Sequence, residues 1–144
     1  MWKLLVAVGC VGPLLAAPVP KDFKKKLDDK VRILGTWVLA SANVNGKVDP
    51  NYFWYSMTFN ADGTNYFRYR AGADQHNDFK LDSLAKPKML SFHRNGAIVG
   101  HPRPYAFRDG RLVVAVSIGD QKRLDSVEPG PGVIVLEYER LKGK

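Results

Sequence analysis

One cysteine, Cys10, and three histidines are all that this chain of 144 residues has of the side chains most used for crosslinks and transition-metal sites. A lone cysteine forms no internal disulfide and supports no zinc centre of several thiolates. His76, His93 and His101 are 17 and eight residues apart, which matches no ligand motif, so neither a metal nor a cofactor is expected. Also missing are a Gly-x-Ser-x-Gly nucleophile elbow, a phosphate-binding loop and a Cys nucleophile paired with His. The cluster Asp74-Gln75-His76-Asn77-Asp78 could hold a hard cation or relay a proton, but polar residues at a loop edge need no such role. The chain is expected to be noncatalytic. Gly and Pro, 13 and 9 residues, fall short of the share that marks low-complexity disorder, and the length fits one domain.

An uninterrupted apolar run long enough to span a bilayer is missing too. Leu4 to Val19 carries no charge, but it is shorter than the ~18 residues a spanning helix wants and is broken by Gly9, Gly12 and Pro13. With Lys3 before it and Leu14-Leu15-Ala16-Ala17 near its end, the segment 1–16 reads as a secretory signal. The mature chain is then expected to lack a transmembrane helix and to be exported, periplasmic or extracellular. Ala7-Val8-Gly9-Cys10 also resembles a lipoprotein box, which would instead leave the chain anchored through a lipidated Cys10.

Acidic residues are in deficit, 14 against 22 basic, for a net charge of +8. The excess is concentrated in Lys21 to Arg32 and is interrupted by Asp22, Asp28 and Asp29. No evenly spaced basic and aromatic ladder accompanies it, so a solvated helix face is expected and no specific nucleic-acid partner. Within 17–34, Phe23, Leu27, Val31 and Leu34 recur at helical spacing over Lys21 to Leu34, with Asp22 as a cap and Gly35 as a stop.

From Thr36 the period changes to two. Runs rich in aromatic and β-branched residues, separated by Gly, Asn, Asp and Pro, predict eight strands over 36–44, 52–60, 64–70, 76–82, 88–94, 103–108, 111–118 and 133–140. At Asn60-Ala61-Asp62-Gly63 a type I turn with a bulged Gly63 pairs Met57 with Phe67 and Tyr55 with Tyr69. That register puts Phe53, Tyr55, Met57, Phe59, Phe67 and Tyr69 on an inner face, and Trp54, Ser56, Thr58, Tyr66, Arg68 and Arg70 outside. Asp109-Gly110 suits a type I′ turn that pairs Phe107 with Leu112 and Tyr105 with Val114. The expected fold is all-β: an eight-stranded antiparallel up-and-down barrel over 35–141 with a short N-terminal amphipathic helix, a sandwich being the competitor.

Closure has a specific signature. Trp37 on the first strand and Arg140 on the last neighbour each other only if the barrel closes, so the guanidinium is expected over the indole within ~6 Å, beneath Phe23, Leu27 and Val31 and shielded from water. Gly35-Thr36-Trp37 after an N-terminal helix, with an arginine near the end of the last strand, resembles the lipocalin superfamily. In more detail, Leu34 to Trp37, Asn45-Gly46-Lys47, Phe79 to Asp82, Lys86-Pro87-Lys88, Tyr105 with Asp109 to Leu112, and Leu136 to Arg140 resemble a family of small secreted lipocalin-like domains of planctomycete bacteria. At Lys122-Arg123-Leu124 the chain departs from that family's Arg-Pro-aromatic pattern. The resemblance implies a lipocalin-like barrel and no particular activity.

The inner aromatics then have two readings. Tyr55, Met57, Phe67, Tyr69 and Tyr105 could line a site for a small apolar ligand. Alternatively the same rings fill the barrel, which would act as a structural or interaction module towards an envelope component, with Trp54 and Tyr66 beside Arg68 and Arg70 as an exposed contact.

Overall fold

The computed structural model of the chain describes residues 28–143. After one helical turn, α1 (Asp29–Arg32), come nine strands: β1 (Gly35–Val44), β2 (Lys47–Val48), β3 (Trp54–Phe59), β4 (Thr64–Tyr69), β5 (Gln75–Asp82), β6 (Met89–Arg94), β7 (Ala97–Arg108), β8 (Arg111–Ser117) and β9 (Val133–Arg140). From β3 to β9 each strand pairs antiparallel with its successor, and β1 pairs with both β3 and β9. Leaving out the short ribbon β2, eight strands therefore close an up-and-down barrel, which removes the sheet edges a sandwich would leave. The expected helix over 21–34, with Phe23 and Leu27, lies mostly outside the described residues. Its described part is α1, whose N-cap Asp28 accepts from the Lys30 amide at 3.1 Å.

Local chemistry accounts for the register. Gly63 has φ 88° and its amide donates to the Asn60 carbonyl at 3.1 Å, giving the bulged turn that pairs Met57 with Phe67. Asp109 and Gly110, at φ 49° and 79°, form the mirror-image turn that pairs Phe107 with Leu112 and Tyr105 with Val114. Asn45-Gly46, at φ 53° and 81°, makes another such turn, and it adds β2, which the sequence reading did not anticipate. Strand β7 is also longer than expected, because Ala97 to Pro102 continues it through an irregularity opposite Ser91.

One element of the expected inner face is displaced. The β3–β4 register shifts between Trp54 and Ser56, so that Trp54 and not Tyr55 sits opposite Tyr69. The extra residue turns the alternation over. Trp54 packs against the core, while Phe53 and Tyr55 are 53% and 40% exposed.

Buried side chains fill the barrel interior along its length as one core cluster. Trp37, Met57, Phe59, Leu90, Tyr105, Leu112, Val114, Leu136 and Tyr138 are all almost fully buried. Outside the barrel, Leu124 and Val127 from the segment between β8 and β9 cover Val113, Ala115 and Val135. This cover explains why β8 is apolar on both faces and reads as a continuous hydrophobic run.

Candidate functional site

At the helix end the closing pair forms as expected in position and face. Trp37 is the register partner of Arg140, whose guanidinium lies 4.4 Å from the indole centroid. Its terminal nitrogens donate to the carbonyls of Leu34 and Arg32, and the Trp37 Nε1 donates to the Ile33 carbonyl at 2.7 Å. The expected shielding does not hold, since Arg140 is exposed and so is Val31, while only the indole is buried. Gly35 suits its position because its φ is 107° and an added Cβ would stand 3.0 Å from the Arg140 guanidinium. A further anchor lies beside this pair. Asp29 is 5% exposed, and its Oδ2 accepts from Lys88 Nζ at 2.5 Å and from the Tyr105 hydroxyl at 3.0 Å. Burial pushes the Asp29 carboxyl up, but those two hydrogen bonds and the charges of Lys88 and Arg32 outweigh it and hold the group below the usual carboxylate range. Burial and the bond to Asp29 in turn raise the Tyr105 phenol.

The opposite end of the interior is built differently. Arg103 on β7 shares the inward side with Tyr105 and is opposite Leu90, and it is 8% exposed. Its guanidinium carbon is 5.1 Å from the ring centroid of Trp54 on β3 and 5.1 Å from that of Phe92 on β6. Because β3 and β7 are separated by β4, β5 and β6, the side chain reaches across the lumen to make these contacts. Phe67 extends the aromatic wall, with its ring 5.7 Å from Trp54 and 4.8 Å from Phe92. The one carboxylate near Arg103 among the described residues is Asp120, whose Oδ2 is 3.5 Å from a terminal nitrogen, at the limit of hydrogen bonding. Asp120 belongs to the short 3-10 turn Ile118–Asp120 that follows β8. There it has φ 49°, its carbonyl faces His101 Nδ1 at 2.9 Å, and its carboxyl occupies the notch left by the missing side chain of Gly100.

Among the described residues, two polar groups here are buried without hydrogen-bond partners, the Nε of Arg103 and the hydroxyl of Tyr138. A buried donor left unmatched is costly, on the order of 1 to 3 kcal/mol and more when charged. The field of Arg103 also reaches three phenols, Tyr52, Tyr69 and Tyr138, and lowers each against the upward push of burial. Burial prevails, and the Tyr52 phenol is pushed up to about 12. All three remain neutral donors near neutral pH.

The residues singled out from sequence divide accordingly. Met57 and Tyr105 are buried in the core, and the Tyr105 hydroxyl is already used by Asp29. Phe67 and Tyr69 border the Arg103 cluster, Phe67 buried and Tyr69 half-buried at the rim. Tyr55 is a correction: the bulge carries it outside, where Arg70 lies 5.8 Å from its ring. Trp54, expected outside, is the inward partner in its place. Arg103, which the sequence reading passed over, was accessible through alternation, because it is two residues from the inward Tyr105 on one strand.

Of the local cluster at 74–78, Asp74 accepts from the Tyr66 hydroxyl and Asn77 from Arg94 at 3.1 Å. Among the described residues no group of three or more His, Cys, Asp or Glu is placed to hold a metal ion. No helix there is long and apolar enough to cross a membrane. Compared with protein-family models, curated proteins and solved structures, the chain matches none.

Proposed function

We propose that this chain is an exported, noncatalytic, lipocalin-like barrel that binds a small, largely apolar ligand through the end of its interior away from α1. The supporting observation is the environment of Arg103, a nearly buried guanidinium between Trp54 and Phe92 whose Nε has no partner among the described residues. A purely structural core has little use for a buried guanidinium with a loose ion pair and an unpaired Nε, whereas a recognition site combines an apolar wall with a few polar groups that fix orientation. The charge-free run before Val19 supports export, and the closing pair Trp37 and Arg140 supports the lipocalin-like reading. Native mass spectrometry of the protein purified from its own host tests the reading. A copurifying small molecule that is released on unfolding is expected, and repeated recovery of the bare polypeptide mass, with no uptake of added small amphiphiles, would overturn it.

A second reading rests on the outer surface around the β3 bulge. Phe53 and Tyr55 are exposed beside Arg68 and Arg70, and Phe53 stacks on Tyr69 with centroids 5.9 Å apart. This mixed aromatic and cationic patch suits contact with an envelope component. Tyr55→Ala combined with Arg70→Ala would weaken retention on isolated envelopes on this reading and leave small-ligand uptake unchanged.

A further inference from the structure

We infer that the ligand is an amphiphile with one carboxylate, or a like oxyanion, whose charged head is received by Arg103 in place of Asp120. This inference rests on the binding reading above and specifies its chemistry.

Three features of the site argue for it. First, a guanidinium presents its donors as a planar fork that matches a carboxylate. Arg103 uses that fork incompletely: one terminal nitrogen reaches Asp120 at 3.5 Å, and Nε has no partner among the described residues. Second, the surroundings are chosen by type. Trp54 and Phe92 flank the guanidinium, Phe67 adjoins both rings, and the neutral phenols of Tyr52, Tyr69 and Tyr138 lie within the reach of its field. Aromatic rings accept the apolar body of a ligand, and an unpartnered hydroxyl such as that of Tyr138 can donate to an anion. A neutral hydrocarbon would leave the guanidinium as unmatched as before, and a cation would be repelled. A single negative charge on an apolar body satisfies both kinds of group.

Third, Asp120 occupies the position of an internal counter-ion. Its carboxyl approaches Arg103 from the far end of the barrel, on a turn where Gly119 and Asp120 both have positive φ, at 69° and 49°. It is therefore a loosely held ion-pair partner, in the place an incoming carboxylate would take. A ligand that replaces a 3.5 Å contact with two short charge-assisted bonds gains from the exchange, and the released Asp120 is already partly exposed to water.

Octanoate and 1-octanol are suitable probes, because they share one chain length and differ in charge. Trp54 is one of three tryptophans in the chain and lies at the site, so its emission, with Trp54→Phe to identify the signal, reports occupancy of the full-length protein. Octanoate is expected to bind about ten- to a hundredfold more tightly than octanol, the range of a charge-assisted hydrogen bond. In Arg103→Met that preference should collapse while octanol still binds, and Arg103→Lys, which keeps the charge and loses the fork, should restore only part of it. Asp120→Asn removes the competing carboxylate and should tighten octanoate severalfold with octanol unchanged. Equal binding of acid and alcohol, unaltered in Arg103→Met, would overturn the carboxylate inference and leave the binding reading standing. Failure of both probes to perturb Trp54 at millimolar concentration would overturn the binding reading, and this inference with it.

Discussion

Two arginines lie against tryptophans in this barrel, one towards each end, and they are finished in opposite ways. Arg140 is exposed, yet its guanidinium is hydrogen-bonded to the carbonyls of Leu34 and Arg32 and rests 4.4 Å from the Trp37 centroid. Arg103 is nearly buried, 5.1 Å from the Trp54 centroid, with an Nε that has no partner among the described residues and one distant carboxylate. Exposure and satisfaction are inverted relative to what stability alone would select, because a desolvated charge has the greater need of partners. The helix end closes the fold, joining the first and last strands and tying down α1 through Asp29, Lys88 and Tyr105. The other end encloses, within the closed barrel, a guanidinium that is only partly hydrogen-bonded.

The largest loss of stability is expected at the helix end. Trp37→Ala removes an indole that is 1% exposed, together with its bond to the Ile33 carbonyl, and should destabilise by about 3 to 5 kcal/mol in urea unfolding. Trp54→Ala, at a half-buried position near the rim, should cost about 1 to 2 kcal/mol. Equal losses at the two positions would erase the contrast between the fully buried indole of Trp37 and the half-buried one of Trp54.

Asp29 gives a pH test of the same end. Its carboxyl is held below its ordinary value in the folded state, so it contributes stability that is fully present above the unfolded value of 3.8 and is lost as pH falls through the lower folded value. Unfolding free energy of the wild type should fall more steeply below about pH 4 than that of Asp29→Asn, with the two curves parallel above that range. Asp29→Ala leaves Lys88 and the buried Tyr105 hydroxyl without their acceptor and should cost about 1 to 3 kcal/mol at neutral pH. Parallel curves throughout would mean that the Asp29 charge contributes nothing to the stability of the fold.

What could be read from the sequence divides along similar lines. Alternation and turn chemistry sufficed for the closed meander, for the Met57 to Phe67 register and for the approach of Trp37 to Arg140, because each depends on a local rule repeated along a strand. The bulge at Tyr55 was not legible, since one extra residue reverses the faces without any marker in composition, and so Trp54 and Tyr55 changed places. The predicted strand began at 103, whereas β7 runs from Ala97 through Gly100 and Pro102. With its start placed at Arg103, the arginine looked like a strand end and not like a side chain crossing the lumen. The Asp120 partner comes from a turn 17 residues along the chain, a distance that no periodicity connects.

The smallest losses of stability belong to the two arginines, whose substitutions are expected to differ in sign. Arg140→Met removes an exposed cation–π contact worth about 0.5 to 1 kcal/mol. Its two carbonyl acceptors lie at the barrel end beside an exposed guanidinium, where water can replace the lost donors, so the variant should be slightly less stable by about that amount. Arg103→Met puts a side chain of similar length and no charge between Trp54 and Phe92, keeps most of the packing, and removes a desolvated charge with its unmatched Nε. Replacing an imperfectly paired buried charge with an apolar group is often neutral and can stabilise by about 1 to 4 kcal/mol. Asp120, partly exposed, can turn to solvent once the guanidinium is gone. Urea midpoints of the two methionine variants should therefore fall on opposite sides of the wild type, or Arg103→Met should coincide with it. A loss of several kcal/mol in Arg103→Met would show that this arginine is held by partners as fully as Arg140 is, and that both ends of the barrel serve the fold.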